Sequence, residues 1–496
     1  MADDVPLDAD GLARPSVFPR RLPTPSRARL SRRASQIFRV GTRNFAPLIW
    51  KTARHRRVPD DEFAAPLRHT FEELGGTFMK FGQLVGSAPS MFGEAVAQEF
   101  RSCLDTGAPV PIDRIRTVVE ESLGGPMEAT FAAFEEEPFG RASIAVVHRA
   151  RLLDGHEVAV QVLRPGIELQ VATDLDLFEP LLKMAARHTG DANAGSLLQM
   201  FDGFRIQIGE ELDLRNELRA MDNYRRLLDQ VDLPLVMVPR PHAELSGMKV
   251  LVMEFLDGVP VDDLDRIAEY GYDPVPVVDQ LVKGFLMTAL RWGTFHGDLH
   301  AGNLLLMPDG RVGVIDWGIV GRLDRDSYFF FRRLCEAALG DDTAWKDIAD
   351  LIIENYGQVI REGLKMNDEE ITTFVRATIE PVVTAPFGQV SLSALVNAPM
   401  EQVATARGME LSDRSARGLF RRLREQRKLR GMAESHGGIN SDFDRGTFLL
   451  GKQLMYFERY GKMYLADKGI FSDRSFFERA LADSPALAGR NASDTD

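Results

Sequence analysis

Between Phe295 and Gly318 the chain reads FHGDLHAGNLLLMPDGRVGVIDWG, and three side chains in that stretch are of the types a phosphoryl-transfer centre uses. Such a reaction asks for little covalent chemistry from a protein. It needs a carboxylate that orients the acceptor and oxygen ligands that hold a metal against the phosphates. Asp298 is the candidate acceptor-orienting carboxylate, while Asn303, five residues on, and Asp316, after the apolar run VGVI, are candidate metal ligands. A hard cation such as Mg2+ takes oxygen donors and keeps several waters, so two side chains suffice. An HGD turn alone, or a strand ending in DWG, would read as a structural loop; the signal is their combination, with Asn303 between them. His296, Asp298 and His300 also raise a transition-metal site, because imidazoles four apart meet on one helix face. Gly297 and the strand-turn context argue against a helix there and favour a structural histidine.

The surrounding elements must hold these residues still. From Phe131 to Val162 the pattern is of short β-type runs, IAVVHRARLL and EVAVQVL, separated by the hairpin dipeptide Asp154-Gly155. A further β-run, KVLVMEFL, covers Lys249–Leu256, and the segment between, Leu197–Leu228, has helical apolar spacing. Hairpin, helix and strand in this order match the N-lobe of a protein-kinase-like fold. From Val277 onward helices dominate, broken only around Asn303 and Asp316, and Trp345–Leu481 reads as wholly helical with charged loops. Ahead of the hairpin, Leu67, Phe71, Leu74, Phe78, Phe81 and Leu84 recur every three or four residues and predict a helical extension. The fold class expected is α+β, two-lobed, with an N-terminal helical extension and a helical C-terminal region. The boundaries expected are 1–60 for a basic, disordered arm, 61–130 for the extension, 131–258 for the N-lobe, 259–345 for the C-lobe core and 346–496 for the C-terminal helices.

Composition narrows the function classes. The chain has 496 residues with 60 Lys and Arg against 73 Asp and Glu, a formal net charge of −13. That argues against a general nucleic-acid binder, which needs surplus cations to displace counterions. With only Cys103 and Cys335 there is no disulfide framework and no cysteine zinc site, and a reducing compartment fits. The acidic start MADDVPLDAD is unlike a secretory signal, and no long apolar stretch is free of charge, so a cytoplasmic protein is expected. Yet Gly11–Pro59 contains no Asp or Glu and many arginines, which suits either a solvated tail or attraction to an anionic membrane.

Four further segments carry a resemblance. KFGQ at 80–83, PFGRASIAVVHRA at 138–150, VAVQVLRPG at 158–166 and EELDLRNE at 210–217, followed by HGDLHAGN and IDWG, resemble the UbiB-type, or AarF-type, atypical kinases. The resemblance implies ATP and Mg2+ as ligands, ATP hydrolysis or phosphotransfer, and support of quinone or isoprenoid-lipid metabolism; peripheral contact with such a lipid or a membrane surface is expected through the basic arm or the aromatics of residues 446–465. It makes Lys80 and Gln83 an active-site pair on the extension, one helical turn apart. It makes Gly140, Arg141, Ala142 and Ser143 the phosphate loop, and Glu254 the end of the strand leading to the adenine hinge. The acidic partner of the strand lysine is then Glu211 or Glu217, and spacing does not choose between them.

The chain departs from that pattern at the strand lysine, where it has Gln161. Glutamine donates hydrogen bonds without charge, so phosphate affinity should fall. Either a nearby cation, Lys80, Arg141 or Arg164, replaces the charge and the protein stays a slow ATPase or kinase, or it is a pseudokinase adaptor that binds nucleotide weakly. HGDLHAGN and IDWG are also similar to the aminoglycoside and choline phosphotransferases, a third reading in which KFGQ is not expected.

Overall fold

A computed structural model of the protein describes residues 7–8, 11–13, 17–18, 21–54, 60–87, 94–101, 109–189, 193–364, 366–389 and 441–485. The chain divides into two compact units. One comprises Val17–Leu218 with Arg240–Phe255; the other comprises Met1–Ser16, Arg219–Pro239 and Leu256–Asp496.

The first unit opens with α1 (Arg27–Arg54), α2 (Asp60–Leu74), α3 (Thr77–Ser87), α4 (Glu94–Arg101) and α5 (Ile112–Leu123). A five-stranded antiparallel sheet follows, made of β1 (Phe131–Phe134), β2 (Gly140–Arg141), β3 (Ala145–Leu152), β4 (Glu157–Leu163) and, after β5 (Val236–Met237) of the other unit, β6 (Val250–Glu254). The order is β1-β3-β4-β6, with β2 along β3. The hairpin turns at Asp154-Gly155, where Gly155 takes φ +93°, a conformation that favours glycine. Strand period does the rest. Val158, Val160 and Val162 of β4 face a core with Val250, Val252 and the α5 residues Ile115 and Val119, while Gln161 points from the other face.

The helical extension is held by an aromatic cluster. Phe71 meets Phe78 and Phe100 at centroid distances of 5.4 and 5.1 Å, and Phe78 meets Phe178 of α6 (Ile167–Thr189) at 4.6 Å. Phe81 meets Phe204 of α7 (Asn193–Glu211) at 5.2 Å. Gly82 lies where a Cβ would come within 2.9 Å of the Phe100 ring, so the glycine of KFGQ is set by this packing.

Residues 1–60 do not form the expected disordered arm throughout, because α1 is a 28-residue helix. Arg33 on α1 gives Nε to Asp174 Oδ1 at 2.7 Å and Nη2 to Asp174 Oδ2 at 3.0 Å and to the Leu74 carbonyl at 3.0 Å. Ahead of the helix, the Phe18 amide donates to Asn216 Oδ1 at 2.7 Å, and the Arg215 guanidinium lies 4.0 Å from the Phe18 ring centroid. An arm with little apolar periodicity is thus held by polar partners more than 100 residues away, which a local pattern does not reveal.

In the second unit, α8 (Leu214–Leu228) carries the division and contributes its last ten residues or so. A four-stranded sheet has the order β5-β10-β9-β7, built with β7 (Val259–Pro260), β9 (Leu304–Leu306) and β10 (Val312–Val314), and β8 (Thr294–His296) pairs with β11 (Val320–Arg322). The helices are α9 (Leu264–Glu269), α10 (Val275–Trp292), α11 (Arg325–Ala338), α12 (Thr343–Leu364), α13 (Asp368–Thr384), α14 (Ser441–Tyr464) and α15 (Arg474–Ala482). α10 is apolar almost all round and buried, as a central helix must be, and ends where Gly293 takes φ +64°. The chain then enters β8 and the HGD loop. The expected C-terminal helices are present in α12 to α15, and residues 390–440 of that region lie outside the described residues. No helix among the described residues is long and apolar enough to cross a membrane.

Burial pushes the Asp174 carboxyl up, so Arg33 compensates a charge that the interior disfavours. Arg33→Ala should cost about 3 kcal/mol or more at pH 8, the loss typical of an orphaned buried charge. A carboxyl with a raised folded-state pKa gains stability as pH falls and it protonates. Urea unfolding should therefore show a smaller difference between the variant and the wild type at pH 5 than at pH 8.

Candidate phosphotransfer site

In the second unit the HGD loop is fixed by one buried imidazole. His296 ends β8, its Nε2 lies 3.2 Å from the Ile315 carbonyl, and its Nδ1 accepts the Asp298 amide at 3.1 Å. The two contacts assign the proton to Nε2. Burial pushes the His296 pKa down, which keeps the ring neutral and the Nδ1 lone pair available. Trp317 packs edge-on at 4.5 Å, and its indole N–H donates to the Val314 carbonyl at 2.9 Å. Gly297 is required by contact, since a Cβ there would come within 2.6 Å of Ile319.

The three candidate side chains follow from this frame. Asn303 is buried, and its Nδ2 donates to the Asp298 carbonyl at 2.9 Å, leaving Oδ1 as the atom for a cation. Its own carbonyl accepts the Ile315 amide at 3.0 Å, so the Asn303 and Asp316 segments are stitched side by side. Asp316 is exposed and has φ +57°, and it is the one non-glycine residue with positive φ among the described residues. A non-glycine residue held in the left-handed region points to a functional constraint. His300 is not arranged as a metal ligand: its Nδ1 accepts the Gly302 amide at 3.1 Å and caps the short turn Ala301–Asn303. Among the described residues no cluster of three or more His, Cys, Asp or Glu side chains could hold a metal, so the transition-metal reading finds no support.

Asp298 has a partner that sequence reading missed. Lys452 of α14 places Nζ 2.8 Å from Asp298 Oδ1. Burial alone would push this carboxyl up; Lys452, and then His300, outweigh it and hold the carboxyl below its usual range. The next residue, the fully buried Gln453, donates Nε2 to the Gly297 carbonyl at 2.6 Å and accepts the Leu299 amide at 2.8 Å. Tyr460 OH adds a bond to the Leu299 carbonyl at 2.9 Å. In the sequence, Lys452 showed only as a charge breaking an apolar run. The available signal was a polar stripe, Lys452, Tyr456, Tyr460 and Tyr464, at four-residue spacing.

The remaining candidates lie in the first unit, and the structure separates the two glutamates. Gln161 Nε2 donates to Glu217 Oε2 at 3.1 Å, whereas Glu211 is paired with Lys80 at 2.9 Å and accepts Gln207 Nε2 at 3.1 Å. Gln83 is on the same helix as Lys80 and half-buried. Gly140 and Arg141 form β2, and Ala142 and Ser143 make the turn into β3. Arg164 Nε donates to the Ala142 carbonyl at 2.9 Å and so braces the loop, while Arg141 pairs with the exposed Glu137 at 3.1 Å. Ser143 Oγ is buried with no hydrogen-bond partner. Glu254 ends β6, where its Oε2 accepts the Arg240 amide at 3.2 Å. His148 is buried in β3, bonded through Nδ1 to the Glu135 carbonyl at 2.8 Å, as a structural histidine would be.

A profile of the ABC1 atypical kinase-like domain matches residues 103–351. The chain belongs to this family. Its relatives carry UbiB and aarF names, so the resemblance noted in KFGQ and the later motifs was to the correct family, and the fold is the kinase-like α+β one expected. An uncharacterised protein of Mycobacterium tuberculosis is 37% identical over 324 residues, 64% of this chain and 64% of its own length. A probable protein kinase UbiB of Cellvibrio japonicus is 31% identical over 350 residues, 70% of this chain and 61% of that protein. An uncharacterised chloroplastic aarF domain-containing protein kinase of Arabidopsis thaliana is 29% identical over 420 residues, 82% of this chain and 73% of that one. The chain thus spans a little under two thirds of the length of the mycobacterial relative. A solved Mycobacterium tuberculosis structure with bound erythromycin aligns over 78% of this chain and 94% of that one, at 22% identity and a TM-score of 0.41. The ABC1 segment includes the HGD and DWG residues, while Lys80, Gln83, Lys452 and Gln453 lie outside it.

Gln453 both gives and takes a hydrogen bond in a buried site, so neither half can be lost cheaply. Gln453→Ala should destabilise the protein by about 2 kcal/mol in urea unfolding. Gln453→Glu should cost more than Gln453→Ala, because an ionised carboxylate cannot donate to the Gly297 carbonyl and instead faces it.

Proposed function

We propose that the protein is a UbiB-like atypical kinase or ATPase that uses Mg-ATP and supports isoprenoid-lipid or quinone metabolism. The observation that carries the reading is the pairing of Asn303 and Asp316 across adjacent backbone segments, with Asp316 held at φ +57° and Asp298 on the same loop. The donors, one amide oxygen and one carboxylate, suit a hard divalent cation whose remaining ligands are phosphate and water oxygens. Ser143 Oγ, a buried hydroxyl without a partner in the loop that the family resemblance assigns to phosphate, fits a nucleotide in the same way. When bound, Mg2+ would offset charge on the transferring phosphoryl group. In their own unit Asn303 and Asp316 would hold that ion and Asp298 would orient the acceptor; Gly140 to Ser143, of the other unit, have the role of presenting amides to phosphate from the family resemblance alone.

A second reading, a pseudokinase adaptor, is favoured by the neutral Gln161–Glu217 bond in the place of an ion pair. Of the three cations considered as replacements, Lys80 pairs with Glu211, Arg141 with Glu137, and Arg164 bonds the Ala142 carbonyl. Peripheral membrane contact is supported by α1, which has no acidic residue and exposes Phe38 and Trp50.

Phosphate release from ATP should be measurable in the wild type and fall at least about a hundredfold in Asp316→Asn, as removal of a charged ligand at such a centre implies. Equal rates in the two proteins would leave the adaptor reading. Gln161→Lys, which restores the point charge, should tighten Mg-nucleotide binding about tenfold by calorimetry. For the membrane, Phe38→Ser with Trp50→Ser should lower flotation with anionic liposomes. These variants are preferred to deleting residues 1–60, which would orphan Asp174 by removing Arg33.

A further inference from the structure

Between Asp298 and Asn303 the loop reads Leu299, His300, Ala301 and Gly302, with no lysine or arginine. The cation at this carboxylate comes from 154 residues downstream, where Lys452 Nζ lies 2.8 Å from Asp298 Oδ1. The contact is not a chance meeting of two surface chains. The Lys452 side chain is 19% exposed, its neighbour Gln453 is bonded to loop backbone on both sides of Asp298, and Tyr460, two turns on, bonds the same loop. A buried, bidentate backbone clamp therefore fixes the azimuth of α14 and aims Lys452 at one carboxylate oxygen. The helix lies outside the segment matched by the ABC1 profile.

We propose that Lys452 is a positioning residue of the phosphotransfer loop, acting through Asp298 in two ways. It holds the carboxylate in the orientation an acceptor requires. It also cancels the Asp298 charge, so that the divalent cation is left to Asn303 and Asp316 and is not drawn to the acceptor-orienting group. This inference rests on the phosphotransfer reading above, and its first test does not use turnover.

Mn2+ binding in the presence of ADP, read by electron paramagnetic resonance, should be about threefold to tenfold tighter in Lys452→Met than in wild type, because a unit negative charge is unmasked on the residue whose backbone carbonyl Asn303 bonds. Lys452→Gln, which keeps a donor for Asp298, guards against a folding failure of the methionine variant and should tighten binding likewise. Lys452→Arg should keep wild-type affinity. Lys462→Met makes the same charge change on the same helix, where Lys462 pairs with Glu458, and should leave Mn2+ affinity unchanged. The second readout is turnover. Lys452→Met should lower kcat about tenfold or more while KM for ATP stays within about twofold, with part of the loss recovered in Lys452→Arg. In an Asp298→Asn background the Lys452→Met change should cost nothing further. Unchanged Mn2+ affinity in both neutral variants, or an equal change in Lys462→Met, overturns the proposal. So does full additivity with Asp298→Asn. A wild type that releases no phosphate counts against the phosphotransfer reading, and the Mn2+ isotherms then decide alone on Lys452.

Discussion

The site depends on a histidine that must stay neutral. His296 can accept the Asp298 amide through Nδ1 only while that nitrogen carries a lone pair, and it can reach the Ile315 carbonyl through Nε2 only while that nitrogen carries the proton. One ring thus sets the backbone entering Asp298 and the backbone entering Asp316. Its environment enforces the neutral form. The ring is buried against Trp317, Trp317 packs on Tyr224 at 4.3 Å, and the Tyr224 hydroxyl is itself buried against Thr288, with its pKa pushed up to about 12. The polar atoms of this stack are hydrogen-bonded, so the stack admits little rearrangement.

In the other unit the same economy governs charge. A lysine at position 161 would face Glu217 as an ion pair; a glutamine there still donates to Glu217 but brings no charge of its own. Glu211 is separately neutralised by Lys80, which comes from the extension rather than from the sheet. The extension therefore does more than cover a lobe: through the Phe71, Phe78, Phe81 and Phe100 cluster it fixes the helix that delivers that cation. Arg164 spends a donor on the Ala142 carbonyl and so stiffens the loop backbone.

What could be read in the sequence had short-range causes. The β3–β4 hairpin was legible because period two and Asp154-Gly155 act over a few residues, and α10 because a run of apolar residues ends at Gly293. The HGD and DWG residues stood out because their order and types are those the proposed chemistry needs. α1 was not legible, since an arginine-rich segment with little apolar periodicity looks solvated until its partner, the buried Asp174, is known to lie beside it. The choice between Glu211 and Glu217 was likewise hidden. Both sit near the junction of α7 and α8, and only the fold says which one faces β4.

Lys452 shows the limit of reading function from a matched domain. The ABC1 segment ends in α12, and within it Asp298 is a carboxylate with no lysine or arginine in its own loop. Such a carboxylate, half-buried beside two prospective metal ligands, would compete with them for a divalent ion. The competition is removed by a helix whose sequence reads as interrupted and amphipathic, and whose identity as a site element follows only from Gln453 gripping the loop backbone. Conserving the loop motif is therefore insufficient to conserve its electrostatics. A relative that keeps HGDLHAGN and IDWG but lacks a cation at the position of Lys452 would carry the same ligands with a different preference for where the metal sits.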